Sequence, residues 1–312
     1  MAEDQGINGD QWTEHAAELL RKLGWEKVAD SNIDIVGSDG LKHGIDALFK
    51  YEDGARVIRE GIFVEAKNYA TTSFSSSKIK DWVTILDEKI DSLRKSADFY
   101  KDYPAMSNTK ARNGLLVMWF NDIKKFDNFK PKLLDAMASV SVPRSRSSRG
   151  SNRLFVMAND DILRLCSTVN AIQDWEKHYS KDGSSNIQFI YPSNFKKPVQ
   201  QLSALNLEYM YSKFVIARSE QTSKDSHKTT DIVFYFGKNN TESYASLRDG
   251  LLTMNVINRS NELFIYQYNR DVEFRKIKPD VEKLFAEEGY PEVALRSMEQ
   301  LADLPTWMID TH

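Results

Sequence analysis

Two short stretches hold residues whose types and spacing could do chemistry: His43-Gly44-Ile45-Asp46 and, nineteen residues after Asp46, Glu65-Ala66-Lys67. In a strand, side chains alternate faces, so Phe63, Glu65 and Lys67 share one face and Ile62, Val64 and Ala66 the other. The second set is apolar and can pack on a core. The first lifts a carboxylate and an ammonium to one surface, roughly 7 Å apart at Cα by strand rise. Asp46 falls on the strand expected from Gly44 to Tyr51, and pairing of that strand with Gly61 to Lys67 lets Asp46 and Glu65 converge. Converging carboxylates suit a hard divalent cation. Mg²⁺ takes oxygen ligands, keeps several waters, and combines one or two carboxylates with phosphate oxygens. Mn²⁺ is the expected substitute, and the Ala66 backbone carbonyl is a plausible extra ligand. A cation so held polarises a phosphodiester and helps ionise an attacking water. Lys67 can orient that water or stabilise the charge that develops on phosphorus. The competing reading is a solvent-facing Glu/Lys pair on an edge strand, with Asp46 ending a turn. Against it, Glu-x-Lys occurs once in the chain, inside an apolar strand-like segment.

These residues need elements to position them. From Asp10 to Gly24, Trp12, Ala16, Leu19, Leu20 and Leu23 fall on one helical face, with Asp10 as a cap and Gly24 as a stop. Strands are expected at Ile33–Val36, Gly44–Tyr51 and Gly61–Lys67, the last two joined by a hairpin-like return at Glu52-Asp53-Gly54. A long polar helix is expected from about Ser77 to Tyr103. The continuous apolar run Leu115–Phe120 reads as a buried central strand. A helix at Lys130–Ala138, a strand at Leu154–Ala158 and a helix through about Lys177 follow. A weaker boundary falls near Tyr191-Pro192-Ser193. Residues 1–192 are thus expected as one domain and 193–312 as a second, smaller α/β domain. The second has strands near 214–217, 231–236 and 263–268 and helices at Thr241–Met254 and Pro279–Glu288. Its aromatic-rich strands are read as core.

The pattern Gly-Ile-Asp … Val-Glu-Ala-Lys resembles the PD-(D/E)XK nuclease superfamily, the restriction-endonuclease-like fold, in its Mrr-like and related branches. Ile45 stands where the family pattern has proline. The resemblance covers about residues 9 to 120, plausibly to 177. It implies an α/β fold with a restriction-endonuclease-like mixed sheet flanked by helices. It also implies metal-dependent phosphodiester hydrolysis, with DNA as the substrate, in restriction or anti-phage defence. Asp46 and Glu65 would hold the metal, and Lys67 would act on water or the transition state. The family's first helix often carries a metal-facing glutamate, a role that falls to Glu14, with Glu18 one turn later on the same face. A repair or junction-cleaving nuclease, or a non-catalytic nucleic-acid-binding subunit, are the alternative readings.

Hydrophobic residues make up 41% and charged residues 28% of 312, the balance of a globular protein rather than a disordered chain. One cysteine, Cys166, excludes an internal disulfide and a Cys-rich zinc cluster, and the five histidines sit too far apart for a His-x-x-x-His zinc pattern. No apolar run nears the roughly 18 residues of a membrane span, and the start is acidic and polar; both point to a cytoplasmic protein. The formal net charge of -3 confines any nucleic-acid surface to a patch. Residues 121–153 hold eight Lys/Arg and three Asp/Glu, and Arg144, Arg146 and Arg149 there could track a phosphate backbone. Lys78 and Lys80, at the start of the helix after Thr71–Ser77, could bind phosphate with its free amides. Residues 271–312 hold five Lys/Arg and ten Asp/Glu. An acidic surface repels DNA, so residues 193–312 are expected to bind a protein partner or a second copy of the chain. His15, His43 and Cys166 are read as structural.

Overall fold

The structure is a computed structural model and describes residues 7–140, 151–179, 186–192, 199–222, 227–258, 261–268, 274–290 and 293–310. Helix α1 (Ile7–Lys22) buries Trp12, Ala16, Leu19 and Leu20. It ends where Gly24 turns left-handed, at φ 85°, and Trp25 N–H reaches back to Leu20 O. Strands β1 (Glu26–Lys27), β2 (Ile33–Val36), β3 (Lys42–Ile45), β4 (Ala47–Asp53) and β5 (Ile58–Tyr69) follow. Next come α2 (Ser76–Leu93), α3 (Ala97–Asp102), β6 (Lys110–Phe120), α4 (Ile123–Ala138), β7 (Arg153–Met157) and α5 (Asn159–Tyr179). The main sheet has the order β1-β4-β5-β6-β7, with β1 antiparallel to β4 and β5, β6 and β7 mutually parallel. β2 and β3 form a separate antiparallel pair.

Both faces of this sheet are covered. Phe63, Leu116, Met118 and Phe120 point into a core shared with Ile79, Val83, Leu86 and Ile90 of α2 and Phe126, Phe129 and Leu133 of α4. On the other face Trp12 of α1 stacks on Trp119 and donates from Nε1 to Val117 O. The face that carries Glu65 and Lys67 is therefore not open surface, as strand alternation alone suggested, but lies beneath α2. A central strand in a parallel sheet has both faces covered. Gly114 on β6 permits the close approach. A Cβ there would stand 2.8 Å from Ile90 Cδ1 and 2.9 Å from Leu86 Cδ2.

The expected long helix is two. It stops at Leu93, and Ser96 starts α3 by accepting from Phe99 N–H while donating to Val36 O. The expected strand Gly44–Tyr51 is also divided, at Asp46.

The chain divides into two compact units: residues 1–52, 58–162 and 302–312, and residues 53–57 with 163–301. In the second unit β8 (Asn186–Tyr191), β9 (Gln200–Leu202), β10 (Phe214–Thr222) and β11 (His227–Tyr235) pair antiparallel. They are followed by α6 (Thr241–Met254), β12 (Glu262–Gln267), α7 (Phe274–Ala286) and β13 (Val293–Ser297). Its sheet has the order β13-β12-β11-β10-β8-β9, with β11, β12 and β13 parallel and α6 and α7 as crossovers. The expected division at 192/193 falls between β8 and β9 of this one sheet. The aromatic strands are core: Phe234, Tyr235, Leu263 and Ile265 are buried. A last short helix, α8 (Thr306–Ile309), belongs to the first unit.

Candidate active site

Asp46 stands where the chain leaves the β2–β3 pair and enters the main sheet. Two backbone contacts hold it. Its carbonyl accepts from Asn32 N–H at 2.9 Å, and Asn32 sits at φ 57°, a left-handed conformation that Asn tolerates better than most residues. Its Oδ2 accepts from Ala66 N–H at 2.7 Å. The carboxylate takes the place of a ladder acceptor on β5. The break at Asp46, not strand alternation, brings it to the motif strand.

Glu65 and Lys67 lie on β5 opposite Leu116 and Met118. Lys67 Nζ is 3.3 Å from Glu65 Oε2 and 3.7 Å from Asp46 Oδ2, so one ammonium addresses both carboxylates. The Glu65 side chain is only 7% exposed. A second lysine, Lys89 of α2, donates to Glu65 Oε1 and, at 2.6 Å, to Gly44 O. Two carboxylates and two ammoniums thus make one neutral cluster. Asp46 has its pKa raised, by burial first and then by the charge of Glu65. Lys67, the Ala66 N–H and Lys89 pull the other way.

Sequence reading missed Lys89. Lysine is common on helices, and this one is twenty-four residues from Glu65. The signal available was a stripe on α2 at helical spacing, Lys78, Trp82, Ile85 and Lys89. Trp82 packs on Tyr69, two residues beyond Lys67 on the same face of β5, with ring centroids 4.9 Å apart. Lys78 Nζ lies 4.4 Å from the Tyr69 ring centroid. Lys80 is exposed.

Glu14 is placed elsewhere. Its carboxylate is 3.1 Å from Lys27 Nζ, which also donates to Ser31 Oγ. The helix that carries it packs on the sheet face opposite to Glu65 and Lys67. Burial raises the Glu14 pKa, but hydrogen bonds from Ser31 and Lys27 and the charges of Lys27 and Arg21 outweigh that and leave it lowered. Glu18 pairs with Arg21. His43 pairs with Asp39, 3.0 Å away, and not with Asp46. Cys166 is buried, which pushes its thiol pKa up. Arg144, Arg146 and Arg149 lie outside the described residues.

Among the described residues no group of three or more His, Cys, Asp or Glu side chains is arranged to hold a metal. The donor set at the cluster is two carboxylates converging on one cation, Lys67 Nζ. Such a set fits Mg²⁺, which accepts a partial protein shell completed by water and phosphate.

The family model of the GAPS4 protein PD-(D/E)XK nuclease domain matches residues 1–161. No curated protein and no solved structure matches the chain. No described helix is long and apolar enough to cross a membrane.

Proposed function

The chain belongs to the GAPS4 PD-(D/E)XK nuclease domain family, and from that membership we propose that it is a Mg²⁺-dependent endonuclease that hydrolyses DNA in defence against foreign genomes. The observation that carries the reading is the approach of Asp46 Oδ2 and Glu65 Oε2 to one cation, the Lys67 ammonium. In this proposal Asp46 and Glu65 hold the divalent ion, with the Ala66 carbonyl as a third oxygen. The N–H and C=O of an extended residue leave the same edge of a strand. Since Ala66 N–H faces Asp46, its carbonyl faces that side too.

The bound ion would supply Lewis-acid polarisation of the phosphodiester and lower the pKa of the attacking water. The two lysines already pair with the two carboxylates, so the charge that the substrate phosphate brings favours a further cation. Lys67 orients the water and balances charge at phosphorus. Lys89 holds Glu65 in place from above. Glu14 has no part in the step: Lys27 and Ser31 occupy its carboxylate. Residues 193–312 are proposed to bind a protein partner or a second copy, on the argument of the acidic segment 271–312.

The test is cleavage of supercoiled, linear and single-stranded DNA and of RNA by the full chain, with Mg²⁺, with Mn²⁺ and with excess chelator. Cleavage of DNA with either ion and none with chelator is expected. Full activity in chelator, or cleavage of RNA alone, would overturn the reading. Light scattering on the same preparation, alone and with co-purifying proteins, tests the assembly role; a strictly monomeric chain with no bound protein contradicts it.

A further inference from the structure

A second charged constellation lies near the start of β6, away from the carboxylates. Arg94, Tyr100, Thr109, Lys110, Ala111 and Arg112 line a cavity of about 320 Å³. Three of the six side chains are cationic and none is acidic.

The local backbone explains how Arg112 comes to face it. In the pairing of β5 with β6, Gly61 lies opposite Ala111 and Ile62 opposite Asn113, so Arg112 is one residue too many. Such a bulge takes its residue out of alternation and re-aims the side chain. Ala111 and Asn113 on either side are buried in the sheet, whereas Arg112 lines the cavity. Its Nε is shut off from solvent and makes no hydrogen bond, and no described carboxylate pairs with Arg112 or Lys110. Arg94, at the end of α2, is 4% exposed and is held by Asn152 Oδ1 at 3.1 Å and Asp91 at 3.5 Å.

A buried donor of a charged group left unanswered is costly. The Arg112 guanidinium and the Lys110 ammonium share one hollow with no carboxylate on its wall, so acceptors for these two come from outside, while Arg94, already held by Asn152 and Asp91, adds positive charge behind them. Guanidinium forks match the oxygens of phosphate, and an ammonium adds a point charge. The volume is at the small end of ligand sites, enough for one nucleotide unit. We propose that this cavity binds a phosphate group carried by a nucleotide, with Arg112 as its inner donor, Lys110 at the mouth, the charge of Arg94 behind them and the half-buried Tyr100 ring as one wall. The phosphate it takes is not the scissile one. Arg112 is four residues from Leu116, the partner of Glu65, or about 13 Å by strand rise. The assignment stands whether or not the carboxylate cluster is catalytic.

Equilibrium binding by the full chain in chelator tests it, since no hydrolysis then intrudes. The probes are inorganic phosphate, a deoxynucleoside monophosphate and a labelled DNA duplex. The parent is compared with Arg112→Met, Lys110→Ala and the double variant, each checked for an unchanged melting temperature. At least a tenfold loss in the double variant is expected for one class of probe. Loss of nucleotide and phosphate binding identifies a free nucleotide as the ligand. Loss confined to DNA, with the log–log salt slope reduced by about 0.9 per contact, identifies the strand backbone. Binding of every probe unchanged, or no binding by the parent, overturns the proposal. Should Arg112→Met fail to fold, Lys110→Ala alone decides: its side chain is exposed, and a parent-like affinity and slope would sink the site.

Discussion

Glu65 in the first unit and Asp231 in the second are both carboxylates buried on a strand, and their partners differ in kind. Asp231 is fully buried on β11. Arg218, its cross-strand neighbour on β10, donates to Oδ1 at 2.7 Å. Asn261 Nδ2 at 2.9 Å and Asn258 N–H at 3.3 Å donate to Oδ2. Arg218 also donates to Val256 O. Planar, preorganised donors answer both oxygens and tie Val256, Asn258 and Asn261 to the sheet. Glu65 instead meets two lysines, compact charges on flexible stems whose hydrogen bonds are easily re-formed elsewhere. A second carboxylate, Asp46, shares one of them. Burial of a carboxylate therefore does not mark a working site. What sets the proposed site apart is burial beside another carboxylate, with exchangeable cations as partners.

The largest expected effects separate these roles. Glu65→Gln should reduce cleavage by about 10²–10³-fold or more, as loss of transition-state charge stabilisation does, while chemical denaturation finds stability near that of the parent. Asp231→Asn should do the reverse. Breaking a buried ion pair costs about 3–5 kcal/mol, so the denaturation midpoint should fall sharply while the folded fraction cleaves at the parental rate. A Glu65→Gln protein that cleaves normally, or an Asp231→Asn protein that is stable but inactive, would reverse the distinction.

Lys89→Met keeps the length of the side chain and removes the charge that holds Glu65. Residues that orient metal ligands typically contribute 10–100-fold. Cleavage should fall by that factor, with a higher Mg²⁺ concentration needed for half-maximal rate. A parental rate and metal dependence would show that Lys89 merely caps an exposed corner of the cluster.

Much of this was legible in the sequence, and what was not has a common cause. The stripe Trp12, Ala16, Leu19 and Leu20 located α1, and the alternation around Glu65 and Lys67 assigned their shared face. The run Leu115–Phe120 located β6. The contributions of distant segments were invisible. Nothing local announces that the strand exchanges sheets at Asp46. Lys89 reaches Glu65 from α2, which packs close on β6 at Gly114. The bulge at Arg112 exists only in the pairing with β5. Two helix starts lie earlier than expected: the helices read from Lys130 and from Pro279 begin at Ile123 and at Phe274, each carrying a proline inside, Pro131 and Pro279. Packing of an apolar face outweighs the one hydrogen bond that proline removes.

Glu14 supplies the smallest effect and the finest distinction. Its neighbours are fixed by α1 and β1: Lys27 and Ser31 on its carboxylate, Arg21 at longer range. Its side chain is 41% exposed, and a pair so solvated is worth less than about 1 kcal/mol. Glu14→Gln should therefore lower stability by no more than that. The sign with pH follows from the lowered pKa. The stabilisation is present above the unfolded value of about 4.3 and is lost as pH falls through the lower folded value. Urea midpoints of parent and variant should differ at pH 7 and coincide well below pH 4. Cleavage should stay within about threefold of the parent, an effect below the roughly 1.4 kcal/mol that a tenfold change represents. A hundredfold loss of cleavage with unchanged stability would mean that Glu14 leaves Lys27 and serves the metal, and the opposite face of the sheet would then have to be counted as part of the site.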